Sequence, residues 1–84
     1  MSRAEKLATK ILGGGADKNF DFNDLCYILE RAGFKGRSGR GSHHIYAKHG
    51  VVEIINIQPR NAKAKPYQVK QVRELLLRYM IDIE

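Results

Sequence analysis

His43-His44-Ile45-Tyr46-Ala47-Lys48, then His49-Gly50, then Val51-Val52-Glu53-Ile54-Ile55-Asn56-Ile57: in this stretch the hydrophobic period changes from that of a helix to that of a strand. Residues 43–48 alternate. His43, Ile45 and Ala47 fall on one side, and His44, Tyr46 and Lys48 on the other, as a half-buried strand requires. His49-Gly50 fits a tight hairpin turn. Residues 51–57 are read as the next strand, and their near-continuous apolar content suits the middle of a small sheet better than an edge. Pro59 ends that strand because it has no N–H for the ladder. Just upstream, Phe34–Arg37 reads as a short first strand.

Helical periods lie on both sides of this region. Residues 3–12 place Ala4, Leu7, Ala8 and Ile11 on one face. Ser2 and Glu5 form a capping box, and Gly13-Gly14-Gly15 ends the helix. Residues 16–21 read as a polar connection. Asp21 or Asn23 then opens a second helix with the core stripe Phe22, Leu25, Leu29 and Ala32, closed by Gly33. Cys26, beside that stripe, reads as a small core hydrophobe rather than a reactive thiol. After a basic connection over 60–65, Pro66 suits the first turn of a last helix. Its apolar stripe is Val69, Val72, Leu76, Tyr79, Met80 and Ile83, and Lys70, Arg73, Glu74 and Arg78 take the solvated side. The expected fold class is α+β, a three-stranded antiparallel sheet with helices packed on one face plus an extra N-terminal helix. One domain spans 1–84, with the first helix and its Gly-rich exit at 1–15 and a core at 20–81.

Composition narrows what such a domain can do. The chain has 84 residues, a formal charge of +6 and one cysteine. A domain of this length has an expected radius of gyration of roughly 12 Å and no room for a large cofactor. One cysteine excludes an internal disulfide and a cysteine-based zinc site. No apolar run approaches the length of a membrane span, and residues 1–12 do not read as a secretory signal. The cytoplasm is therefore the expected compartment. The positive charge points to a polyanionic partner, nucleic acid first, with an acidic protein as the alternative.

The chemistry gathers at Arg37, Gly39, Arg40, Gly41, Ser42 and His43. Glycines let the backbone approach an anion closely. Arginine grips two phosphate oxygens at once, and the Ser42 hydroxyl can donate to another. Imidazole as a residue type changes protonation near neutral pH and can take the proton of a ribose 2′-hydroxyl. That hydroxyl would then attack the adjacent phosphorus without a metal, provided nearby cations carry the developing charge. A second cationic group, Arg60, Lys63 and Lys65, precedes a helix start where a bound phosphate would be favoured. Lys48 is a further candidate RNA contact, and Tyr46 and Tyr67 could stack on bases or serve packing. A metal site is disfavoured because His43 and His44 point to opposite faces and no acid lies close to them. A Ser–His nucleophile pair fails for the same geometric reason. Alternation groups His43 with Ile45 and Ala47, so the pattern allows either a core-facing imidazole or one turned outward at the strand end.

Phe22-Asn23-Asp24-Leu25-Cys26-Tyr27-Ile28-Leu29-Glu30-Arg31-Ala32-Gly33-Phe34, followed by Gly41-Ser42-His43-His44-Ile45-Tyr46, resembles the HicA mRNA interferase toxin family of type II toxin–antitoxin systems. Gln58-Pro59 and Lys63-Ala64-Lys65-Pro66-Tyr67-Gln68-Val69-Lys70-Gln71-Val72 are similar to a longer subgroup of it. The resemblance implies a double-stranded-RNA-binding-domain-like fold and endoribonuclease activity on mRNA without a cofactor. It implies a HicB-like antitoxin partner and a bacterial or archaeal cytoplasmic setting. It makes His43, after the Gly-Ser pair, the catalytic histidine. His44 is not carried over. Pro59 is followed by Arg60 and Asn61, not by the histidine many relatives have there, so the leaving-group acid is unassigned. Arg37, Arg40, Gly41, Ser42, Lys48, Lys63 and Lys65 are the expected RNA and phosphate contacts. The alternatives are a non-catalytic RNA-binding module of the same fold and a basic protein-interaction domain.

Overall fold

The computed structural model describes residues 2–83. Helix α1 spans Arg3–Gly13, a 3₁₀ turn covers Asp17–Asn19, and helix α2 spans Phe22–Arg31. Strands β1 (Lys35–Ser38), β2 (His44–Ala47) and β3 (Ile55–Ile57) follow, then helix α3 (Pro66–Arg78). The strands form one antiparallel sheet in the order β1-β2-β3. From α2 to α3 this is the helix, three strands, helix order of a double-stranded-RNA-binding-domain-like fold, with α1 added in front. The radius of gyration is 11.7 Å, as expected for the length.

The helix ends are set by local chemistry. Glu5 N–H donates to Ser2 Oγ (3.1 Å) and Ser2 N–H to Glu5 Oε1 (3.3 Å), a reciprocal capping box. The Asp21 carboxylate accepts from Asp24 N–H at 3.1 Å and starts α2. At its other end Gly33 N–H donates to Glu30 O and Phe34 N–H to Leu29 O, the paired bonds of a Schellman closure. Pro66 is the first residue of α3, and the side chain of the buried Gln68 accepts from Lys65 N–H.

The core lies between the helices and one face of the sheet. Leu7, Ile11, Phe22, Leu25, Ile28, Leu29, Ile55, Ile57, Val69, Val72 and Leu76 are all buried there. Truncating such a residue to alanine typically costs about 2–5 kcal/mol. Tyr46 is only 3% exposed, and its hydroxyl donates to Glu30 Oε2 at 3.2 Å. Gly36 pairs with Tyr46 across the sheet, and a Cβ there would come within 2.5 Å of the ring. The glycine is what lets the ring lie flat over β1. Cys26 is half-buried and packs against the core, and burial pushes its thiol up from the usual value.

Five expectations are corrected. β2, not β3, is central, because three consecutive hairpin-joined strands place the second in the middle. The ladder of β3 begins only at Ile55. Val51 N–H closes a turn on Lys48 O (3.0 Å), and Glu53 is then held at the end of α3 by the Tyr79 hydroxyl (2.6 Å) and Arg78. That anchor draws residues 51–54 off β2 and leaves Val52 and Ile54 exposed. The 16–21 connection is not merely polar, since Phe20 is wholly buried and its carbonyl accepts from Ala64 N–H. In α3 the stripe runs through Leu75 rather than Met80. The helix stops at Arg78, and Met80, at φ 50°, turns the chain and is 87% exposed. Arg73 leaves the solvated side to grip Asp17 through two nitrogens, at 2.8 and 2.9 Å. That hydrogen-bonded pairing holds the Asp17 carboxyl below its ordinary 3.8 and raises the guanidinium further.

Candidate nucleic-acid interface

The strand register defines what each face of the sheet offers. Tyr46 reaches α2, and the His44 ring meets Phe22 edge-on, with centroids 5.1 Å apart and planes at 70°. His44 and Tyr46 therefore face the helices, and Tyr46 is removed as a base-stacking candidate by its burial. The opposite face is open. Arg37, Ile45 and Asn56 are register partners across it, one from each strand.

His43 stands at the mouth of β2 on this open face. Its Nδ1 lies 2.9 Å from Asn56 Oδ1. An amide oxygen only accepts, so Nδ1 carries the hydrogen, and in the neutral ring Nε2 is the acceptor. The ring is half-exposed. The question left by strand alternation is thus answered by which side α2 and α3 cover: the side of Ile45 and Ala47 is the uncovered one. Asn56 was not among the residues singled out in the sequence, because it is bonded from thirteen positions away and carries no motif. Its only signal was as the one polar residue in Ile54-Ile55-Asn56-Ile57.

The glycine-rich loop before His43 is a closed hairpin end. His43 N–H donates to Arg40 O at 3.2 Å, and Gly39 N–H donates to His43 O at 2.8 Å. Gly41 sits at the corner with φ 60°, a value glycine adopts without strain. The Gly39 N–H is consumed inside the loop. The N–H groups of Gly41 and Ser42 take no backbone acceptor among the described residues. Arg37, Arg40, Gly41 and Ser42 are all exposed. The loop thus brings two amides, the Ser42 hydroxyl and Arg40 next to His43 in the chain, and Arg37 stands on the adjacent strand.

The second cationic group meets this one at the same end of the sheet. Ser38, His44 and Ile57 are register partners, so the 39–43 loop and the chain leaving β3 emerge together. Residues 60–63 then form a tight hairpin, with Arg60 and Lys63 exchanging both backbone bonds (2.8 and 3.0 Å). Ala62 O accepts from Phe22 N–H, which anchors the hairpin next to the residue that His44 packs on. Lys63 is exposed and Lys65 half-buried. Lys48 is not part of this grouping. It follows the other end of β2, and its ammonium lies over Gly33, beyond the C-terminus of α2, where a helix favours positive charge.

Among the described residues, no three of His, Cys, Asp and Glu cluster in a way that could hold a metal ion. No helix there is long and apolar enough to cross a membrane. No curated protein and no solved structure matches the chain. The family described as the HicA toxin of bacterial toxin–antitoxin systems matches residues 22–78, the segment from the first residue of α2 to the last of α3. That match takes in the loop, the imidazole and both cationic groups and leaves α1 outside it, and on this basis the chain belongs to the HicA toxin family.

Proposed function

We propose that this chain is the toxin of a HicA–HicB pair and cuts mRNA in the cytoplasm without a metal ion, with His43 as general base. The observation that carries the reading is the 2.9 Å contact between His43 Nδ1 and Asn56 Oδ1 on the open sheet face, which in the neutral ring leaves Nε2 as the nitrogen able to accept a proton. Nε2 takes the proton of a ribose 2′-hydroxyl. O2′ then bonds to the adjacent phosphorus as the P–O5′ bond breaks, which leaves a 2′,3′-cyclic phosphate, and the departing 5′-oxygen takes a proton from solvent water, no side chain being assigned as its acid. Charge gathering on the phosphoryl oxygens is met by Arg40, Arg37, the Ser42 hydroxyl and the Gly41 and Ser42 amides. Lys63 and Lys65 hold the strand to one side.

The test is incubation of pure protein with RNA in EDTA, wild type beside His43→Ala. Loss of the general base is expected to cost about 10²–10⁴ in rate with the fold intact. Undiminished cleavage by a folded His43→Ala protein discards the assignment. RNA binding without cleavage by the wild type would make the domain a binding module instead.

A HicB-like partner with an acidic face would cover the Arg37–Arg40 and Arg60–Lys65 cations and exclude RNA by occlusion. Co-expression with that partner is expected to restore growth. Toxicity that persists while the partner is bound overturns occlusion.

A further inference from the structure

Beside the Arg60–Lys63 hairpin lies a cleft of about 370 Å³ lined by Lys18, Arg60, Asn61, Lys63, Lys65 and Tyr67, among others. Three features of it have no explanation in the fold itself. First, all four charged residues lining it are cations, and among the described residues none is ion-paired with a carboxylate. Of the acids nearby, Asp17 is paired with Arg73, and among the described residues Asp21 caps α2 through the Asp24 N–H without forming an ion pair to these cations. Second, Lys63 is the antiparallel bridge partner of Arg60 as well as of Asp21, so a like charge stands directly opposite it even though an acid flanks it on the other side, and no ion pair joins Lys63 to Asp21 among the described residues. Third, the turn that forces them together holds Asn61 and Ala62 at φ 52° and 65°. This is the twist of a type I′ turn, and it is built without glycine at either position. A glycine at 62 would hold this turn without the left-handed cost that Ala62 carries. Tyr67, 63% exposed, offers its ring at the rim.

Resting on the ribonuclease reading above, we propose that this cleft is a nucleotide subsite of the RNA path. It would take one backbone phosphate between Lys18, Arg60, Lys63 and Lys65 and stack the adjoining base on Tyr67. A bound phosphate offsets the like-charge pair, which is what the strained turn is placed to present. Lys18 comes from the 3₁₀ turn ahead of the segment that matches the family, so the subsite is completed by the chain's own added N-terminal region.

The experiment uses full-length protein carrying His43→Ala, so that a fluorescein-labelled single-stranded RNA stays intact. Affinity is measured over a series of NaCl concentrations. Lys18→Ala is expected to weaken binding roughly threefold. The double variant Arg60→Ala/Lys63→Ala is expected to weaken it about tenfold and to flatten the log–log salt slope by about 0.7 for the phosphate lost. Tyr67→Ala should weaken binding about tenfold with the slope unchanged, since stacking releases no counterions. Lys6→Ala, exposed on α1, should change neither. If the Lys18, Arg60 and Lys63 variants bind like their parent while Arg40→Ala binds more weakly, the cleft is no subsite and the ribonuclease reading stands. If the His43→Ala protein binds no RNA at low salt, both fall together.

Discussion

Asn56 on the edge strand reaches back to the imidazole of His43, with its Oδ1 2.9 Å from the ring Nδ1. The ring's tautomer is thereby set by a side chain from the neighbouring strand. Asn56→Ala removes the side-chain partner of that ring, and cleavage is expected to fall about tenfold or more with little change in RNA affinity. Asn56→Asp keeps the acceptor and adds a negative charge that favours imidazolium, so it should move the acid limb of the pH–rate profile to higher pH. Ring-nitrogen NMR checks the tautomer directly. If both variants leave the pH profile and the ring signals unaltered, Asn56 plays no positioning role.

The Asp17–Arg73 pair joins the 3₁₀ turn to α3, and both side chains are largely shielded, at 16% and 21% exposure for Arg73 and Asp17. The Asp17 carboxyl is held below its ordinary 3.8. A carboxyl depressed by folding contributes stability above its unfolded value, and that contribution is lost as pH falls through the lower folded value. Asp17→Asn should lower stability by about 1–2 kcal/mol at neutral pH. It should also lose less on acidification below about pH 4 than the wild type. Parallel acid melts of the two proteins would contradict the linkage.

Gly36 is expected to tolerate no side chain. A methyl there meets the Tyr46 ring at 2.5 Å, and that ring is pinned by burial and by Glu30. Burial also pushes the phenol well up, with Cys26 and Glu30 adding to the effect, so the ring stays a neutral donor. Gly36→Ala should cost about 1–3 kcal/mol through overpacking. Urea denaturation measures it, and a neutral result would mean that β1 shifts freely.

Met80 holds φ 50° with its side chain in solvent. It occupies the closing position of α3, where Ile81 N–H donates to Leu76 O at 2.9 Å. Met80→Gly should raise the melting temperature, with a gain of up to about 1 kcal/mol as the left-handed backbone is relieved. A fall in stability would show that the exposed methionine packs against something more than water.

The helices were readable from the chain alone because their determinants are local. The Ser2–Glu5 box, the Asp21 cap and Pro66 act within one turn of the residues they organise, and the 3.6-residue stripe of Phe22, Leu25, Leu29 and Ala32 buries as its spacing requires. The glycine-rich loop and its histidine were legible for the same reason: residue type and order suffice to mark them. What strand periodicity could not supply was which of two alternating faces the helices would cover. That depends on where α2 and α3 pack, and it alone turned His43 outward and Tyr46 in. Contacts between distant segments lay equally out of reach. Asn56 on His43, Glu53 on Tyr79, Asp17 on Arg73 and Lys18 beside Arg60 each join residues whose separation along the chain carries no periodic trace. They come into being only when the sheet and helices dock, because hydrogen bonds and ion pairs act over a few ångströms in space whatever the distance in sequence.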